Sequence, residues 1–216
     1  MTKRSERTVT TPSSGFAAGA EFFGVLVVCT GNVCRSPATE RLLLKNLDRA
    51  TPWAFALGSS GTAALVGQPI HPLTVHALAA HGVDGRGHVA RNVTEAQLAQ
   101  ADLVLTATRA HRIPLVGLHP PVRARTFTLR EFARLASVAC TEARTPWELV
   151  RVVSSLRGSM PPPHPTDDDI ADPINGDFED HAHTVRMIAA ATAEIAASLR
   201  KSVAVHVPDE AAPGSP

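Results

Sequence analysis

The chain has no tyrosine, two tryptophans and seven phenylalanines in 216 residues. No tyrosyl ring can line a pocket here. Cysteine is also sparse. Three residues, an odd number, are too few for the disulfide framework of a small secreted scaffold. Neither sign of charge is in excess: 21 Lys and Arg face 20 Asp and Glu, a formal net charge of +1. No bulk field therefore draws the chain to nucleic acid or to an anionic membrane, and neither is expected as a partner. No apolar run reaches the roughly 20 residues of a membrane-spanning helix. Lys3, Arg4 and Arg7 precede a mildly apolar segment, which resembles the layout of a secretory signal. Against that reading, Thr8 to Ser14 is polar, Glu21 interrupts the apolar stretch, and cleavage at its end would cut into the loop at residue 29.

What is present suits one soluble domain: 44% hydrophobic and 19% charged residues, enough for a sizeable core. Residues 1–20 read as a disordered extension and 204–216 as a disordered tail, leaving a domain over 21–203. The apolar run Val25-Leu26-Val27-Val28 reads as a buried strand. It leads directly into Cys29-Thr30-Gly31-Asn32-Val33-Cys34-Arg35-Ser36-Pro37. Ser36-Pro37 opens a helix, with Pro37 in the first turn, where a missing N–H does no harm.

A cysteine, five residues and an arginine, bent around a helix N-terminus, make a cradle for a phosphate-like dianion. The thiolate is the nucleophilic form of cysteine. Three features favour it at Cys29: inward backbone N–H groups of a tight loop, the positive end of the helix dipole, and the fixed charge of Arg35, which can hold two phosphate oxygens at once. Gly31 gives the backbone freedom for the turn. Asn32 tolerates left-handed geometry and can hold the loop through its amide. Ser36 can donate to the Cys29 sulfur. A buried structural cysteine before an ordinary helix cap is the plain alternative. The strand before, the Gly-Asn within and the Ser-Pro after argue against it, because context is what confirms a motif.

These residues resemble the active-site signature of the low-molecular-weight protein-tyrosine phosphatases. Ser60-Gly61-Thr62, Gly67-Gln68-Pro69, Gly87-His88-Val89-Ala90-Arg91, Ala101-Asp102-Leu103-Val104-Leu105 and Asp172-Pro173 follow in that family's order. The resemblance covers roughly residues 24–200. It implies that Cys29 attacks phosphorus to form a phosphocysteine, that Arg35 binds and stabilises the phosphoryl oxygens, and that Asp172 protonates the leaving group and then activates water. Thr30, Gly31, Asn32, Val33, Cys34 and Ser36 would form the phosphate-binding loop, with Ile174 at its mouth. The implied substrate is a phosphorylated protein, most readily a phosphotyrosyl one, with inorganic phosphate as product. No cofactor and no metal are needed. A monomer in the cytoplasm is expected, since an active thiol needs a reducing compartment.

The pattern also departs from the family. Where an aromatic residue follows Asp-Pro in typical members, this chain has Ile174. Where a second aromatic wall is expected, it has Ala63, Ala64, Leu65 and Val66. Stacking on a phenyl ring contributes about 0.5–1.5 kcal/mol beyond burial, so aryl discrimination weakens while the phosphoryl-transfer groups remain. A protein-arginine phosphatase of the same fold is an alternative. It shares the Cys29-Thr30-Gly31-Asn32 start, but Val33 stands where such enzymes carry threonine. An arsenate reductase would need further redox cysteines near 80–115, and the sequence has none there. A binding module without turnover would lack the nucleophile, the arginine or the acid.

Strands are expected at 24–29, 54–59, 103–106 and 124–127, and helices at 36–49, 72–80, 129–140, 146–157 and 178–199. Thr94-Glu95-Ala96-Gln97 reads as a capped helix start. Strands alternating with helices predict an α/β three-layer sandwich: a four-stranded parallel sheet flanked by helices, with the phosphate-binding loop after the first strand. Residues 128–165 read as a helical insertion shaping the rim of the site. Asp167-Asp168-Asp169 reads as a solvated acidic loop rather than a metal site. His71, His76, His81 and His88 are spaced so that no pair shares a helix turn, which argues against zinc. Cys34 could form a reversible disulfide with Cys29 or serve only as a space-filling thiol.

Overall fold

The computed structural model describes residues 22–47, 54–162, 164 and 166–204. The segments expected as disordered ends, 1–20 and 204–216, lie outside them except for Ala204, which is helical. Strand β1 (Phe22–Cys29) is apolar along almost its whole length, as a strand covered on both faces must be. Its neighbours are β2 (Ala54–Gly61) on one side and β3 (Leu103–Thr106) on the other, and β4 (Thr126–Thr128) completes the sheet. All pairings are parallel, in the order β2-β1-β3-β4. Register places Cys29 opposite Gly61 and Val28 opposite Thr106, so the loop after β1 emerges at the carboxyl edge between two strands, where ligands of such sheets sit.

The alternation of β1 side chains divides the core. Phe23, Val25 and Val27 face the principal cluster with α1 (Arg35–Leu47), α2 (Pro72–Ala79), α5 (Leu129–Ala139), α6 (Pro146–Leu156) and α7 (Phe178–Ala204). Leu26 and Val28 face a smaller cluster with Leu98 of α3 (Glu95–Gln100), Leu115 of α4 (Arg112–Leu118) and Val122. The three-layer α/β sandwich expected from the sequence is the observed architecture. Along α7, Val185, Ile188, Thr192, Ile195, Ala196 and Leu199 are buried at helical spacing. Thr94 closes a reciprocal capping box with Gln97 at the start of α3, as its sequence suggested.

Two expectations shift. The fourth strand starts at Thr126 rather than residue 124, because Pro120–Arg125 winds into a 3-10 turn first. The helical part of 128–165 is not a rim. Leu129, Phe132, Leu135, Ala136, Leu149 and Val153 are buried in the principal core. Phe132 meets Phe127 of β4 edge-on at 5.2 Å, and the Arg157 guanidinium lies over the Phe127 ring at 4.1 Å. Only the chain beyond α6 returns to the sheet's carboxyl edge.

Candidate active site

The phosphate-loop residues fix their own shape through their carbonyls. Cys29 O accepts from Thr62 N (2.9 Å), Thr30 O from Ala63 N (3.1 Å), Gly31 O from Leu65 N (2.9 Å), Val33 O from His71 N (2.8 Å) and Cys34 O from Ala38 N (3.1 Å). The Asn32 carbonyl accepts from His88 Nε2 at 2.7 Å. Every carbonyl from 29 to 34 is thus held by the surrounding chain. No cis peptide bond occurs among the described residues, and in a trans peptide the N–H points opposite to the carbonyl. The N–H groups of residues 30–35 are therefore turned to the inside of the loop. Those of Gly31, Asn32, Val33 and Cys34 donate to no group among the described residues. A ring of inward N–H groups is an anion nest, and it opens at the N-terminus of α1, whose dipole adds to it.

Asn32 is the bracket of this loop. It is fully buried and takes a left-handed backbone, with φ of 55°. Its Nδ2 donates to Ser36 Oγ (2.9 Å) and Ser59 Oγ (3.0 Å), and its Oδ1 accepts from Arg91 N (3.0 Å). Ser36 Oγ lies 3.0 Å from Cys29 Sγ and 3.3 Å from Ser60 O. Because the Ser36 oxygen already accepts from Asn32, its single proton is left for the sulfur or for that carbonyl. The neighbouring 61–65 turn presses close. A Cβ at Gly61 would lie 2.2 Å from Thr30 O, so only glycine fits there.

Arg35 is buried, and its guanidinium donates to Ile170 O (3.2 Å) and forms an ion pair with Asp172. Its Nε is buried without a partner among the described residues. The Asp172 side chain is 38% exposed, so it borders solvent while touching the arginine. Ile174 packs on Val33, Cys34 and Ala90 at the same mouth. Thr30, exposed, meets His111: His111 Nε2 is 2.9 Å from Thr30 Oγ1. His111 Nδ1 accepts from Thr108 N at 3.2 Å, so its proton is on Nε2 and is donated to Thr30. Burial, then the nearby Arg35 charge, pushes the His111 pKa down, and burial does the same to His88. Both rings are accordingly neutral donors. Burial raises the Cys34 thiol to about 11, which keeps it protonated beside the loop.

The family model described as "Low molecular weight phosphotyrosine protein phosphatase" matches residues 24–153, more than half of the chain. The chain belongs to that family. The phosphatase is 37% identical over 109 residues to the low molecular weight protein-tyrosine-phosphatase Etp of Escherichia coli K12, a match spanning 50% of this chain and 70% of Etp. It is 36% identical over 104 residues to Wzb of Salmonella typhi, spanning 48% and 66%. Among solved structures, Vibrio vulnificus Wzb in complex with benzylphosphonate aligns with a TM-score of 0.60 at 27% identity, over 83% of this chain and all of Wzb. The YwlE arginine phosphatase from Geobacillus stearothermophilus shares the fold, with a TM-score of 0.66 at 23% identity, over 87% of this chain and 99% of YwlE.

In the phosphatase the structure gathers Cys29, the 30–36 loop, Arg35, Asp172 and Ile174 at one edge of the sheet. Sequence reasoning had not assigned work to His88, Ser59, Thr62 or Ile170. Their signal was indirect: Gly87-His88-Val89-Ala90-Arg91 matched the family's order, and that segment supplies both the His88 and the Arg91 contacts to Asn32. The acidic run is used locally rather than solvated throughout. Asp168 is buried against Arg134 (2.9 Å), Asp169 accepts from Arg109 N (2.8 Å), and Asp167 accepts from His164 N (3.0 Å). Among the described residues no group of three or more His, Cys, Asp or Glu could hold a metal ion.

Proposed function

We propose that this phosphatase hydrolyses phosphotyrosyl protein by the following division of labour. The phosphoryl group seats in the N–H ring of residues 30–35, with its equatorial oxygens also held by the Arg35 guanidinium, which turns from Asp172 to the anion. The Cys29 sulfur attacks phosphorus in line as the bond to the leaving oxygen breaks. Asp172, carrying a proton, delivers it to that oxygen. The phosphocysteine is then cleaved by a water whose proton returns to Asp172, releasing inorganic phosphate and the free thiolate. Ser36 donates to the sulfur whenever it is anionic, and Asn32 keeps Ser36 aligned.

The observation that carries this reading is the set of carbonyls from 29 to 34, all tied outward, which supports a preformed ring of donors in the loop that begins at Cys29. The test is turnover of 4-nitrophenyl phosphate. Cys29→Ser is expected to abolish it. Asp172→Asn is expected to lower kcat by about 10²–10⁴, the usual contribution of general acid–base catalysis. Wild-type protein that binds phosphate without turning over substrate would make it a binding module instead.

A second reading rests on the mouth of the site. Leu65 and Val66 are 51% and 64% exposed, and with Ile174 they are aliphatic where an aryl group would stack. A flexible aliphatic phosphoryl donor such as phosphoarginine fits such walls as well as phosphotyrosine does. Comparing kcat/KM on phosphotyrosine and phosphoarginine peptides separates the two.

A further inference from the structure

Two imidazoles lie outside the chemistry above, one fully buried (His181) and one half-buried (His71). His71 precedes α2, and His181 sits in the first turns of α7. Their rings stack, with centroids 4.6 Å apart and planes 13° from parallel. His181 is fully buried. Its Nδ1 is 2.8 Å from Thr74 Oγ1, whereas its Nε2, like Nδ1 of His71, is buried without a hydrogen-bond partner among the described residues. An apolar pair would fill this space at lower cost, since buried ring nitrogens without partners are unfavourable.

The pair lies between the two loops that carry the chemistry. On one side the His71 N–H donates to Val33 O of the phosphate loop at 2.8 Å. On the other, His181 N donates to Asp177 O at 3.3 Å, which ties it to the loop that follows Asp172–Pro173; the Asp172 carboxylate and the Pro173 carbonyl also act on its ring, as do Asp180 and His71. Pro173 is itself buried. The turn closes through Gly176 N to Pro173 O at 2.8 Å, and Asp177 joins it to α7 by accepting from Glu179 N (2.9 Å) and Asp180 N (3.1 Å).

We propose that His181, stacked on His71, is a positioning residue that holds the Asp172 turn against the phosphate loop; this rests on Asp172 acting as the general acid. In the free protein the Arg35 ion pair also holds Asp172. A phosphoryl dianion competes for the same guanidinium N–H groups, so substrate binding loosens that tie just when the carboxyl must be in place. The stacked rings face no such competition, because they are held by each other and by Thr74 rather than by the Arg35 guanidinium.

The test compares kcat/KM for phenyl phosphate and for 4-nitrophenyl phosphate, with inorganic phosphate as competitive inhibitor. The acid matters most for the poorer leaving group, and a misplacement of about 1 Å can cost about 10². His181→Ala is therefore expected to lower kcat/KM for phenyl phosphate about tenfold more than for 4-nitrophenyl phosphate, leaving phosphate inhibition within about twofold of wild type. His181→Phe, which keeps a ring on His71, is expected to recover most of the loss. In an Asp172→Asn background, His181→Ala should cost nothing further. If Asp172→Asn leaves phenyl phosphate turnover unchanged, the general-acid reading fails and this proposal with it. If Asp172→Asn lowers turnover but His181→Ala does not, or costs as much again in that background, the positioning role alone is refuted. Weaker phosphate inhibition that accounts for the whole loss in His181→Ala, or a His181→Phe variant as impaired as His181→Ala, refutes it equally.

Discussion

Asn32→Ala isolates what keeps the phosphate loop in shape. The substitution removes three hydrogen bonds, the buried ones to Ser36 Oγ and Ser59 Oγ and a partly buried one from Arg91 N. At about 1 kcal/mol net each they amount to about 3 kcal/mol. Alanine must also hold the left-handed φ that asparagine tolerates, which adds about 1 kcal/mol. The expected loss is about 4 kcal/mol, within the 5–15 kcal/mol of a typical domain, so the variant should still fold. Ser59→Ala deletes only one of those bonds and should cost about 1 kcal/mol. Equilibrium urea unfolding at neutral pH, with equal m-values for both variants, measures the difference directly. It should be about 3 kcal/mol, some hundredfold in the unfolding constant. If Asn32→Ala is no less stable than Ser59→Ala, the bracket contributes nothing to the fold and the loop is held by its carbonyl contacts alone.

Two further outcomes follow from the electrostatics. His88, His111 and His181 all have pKa values pushed below the ordinary 6.5, chiefly by burial. A base depressed in the folded state adds stability that is complete above its unfolded pKa and is lost as pH falls from there through the folded value. Thermal midpoints should therefore be flat from pH 8 to 7 and decline below about 6.5, and His111→Gln should shallow that decline. An unchanged slope in that variant contradicts the assignment. Cys34, raised to about 11, should stay unalkylated by iodoacetate at pH 8 while Cys29 is modified, as peptide mass mapping would record.

Much of this site was legible because its chemistry is local. A strand buried on both faces, a glycine turn, an arginine and a helix start follow one another within residues 25–37, so each could be read from its neighbours. The sheet was legible for a similar reason: Leu103, Val104 and Leu105 are fully buried and appear as an unbroken apolar run. Asn32, Arg91 and His111 could be read as braces of the loops, but their partners could not. Asn32 meets Ser59 and Arg91 across 27 and 59 residues, and Thr30 meets His111 across 81. Nothing in spacing or periodicity links such pairs. The 129–139 and 146–156 helices were misplaced for a related reason. Their apolar faces signalled burial, but not which surface would cover them, and that surface proved to be the principal core under α7. The fourth strand slipped by two residues because Pro120 and Pro121 favour a tight turn that apolar patterning does not register.

Five consecutive carbonyls anchored in distant segments, and a sixth in the helix that follows, leave the hollow formed before any guest arrives. A hollow of that kind grips the anion and is indifferent to what the anion was once attached to. On the function proposed above, liberated phosphate would compete with the next substrate. Choice among substrates would then fall to side chains outside the hollow, at 62–66 and 174, which can drift in sequence without disturbing the bond-breaking step. Selectivity would thus be free to evolve separately from the chemistry.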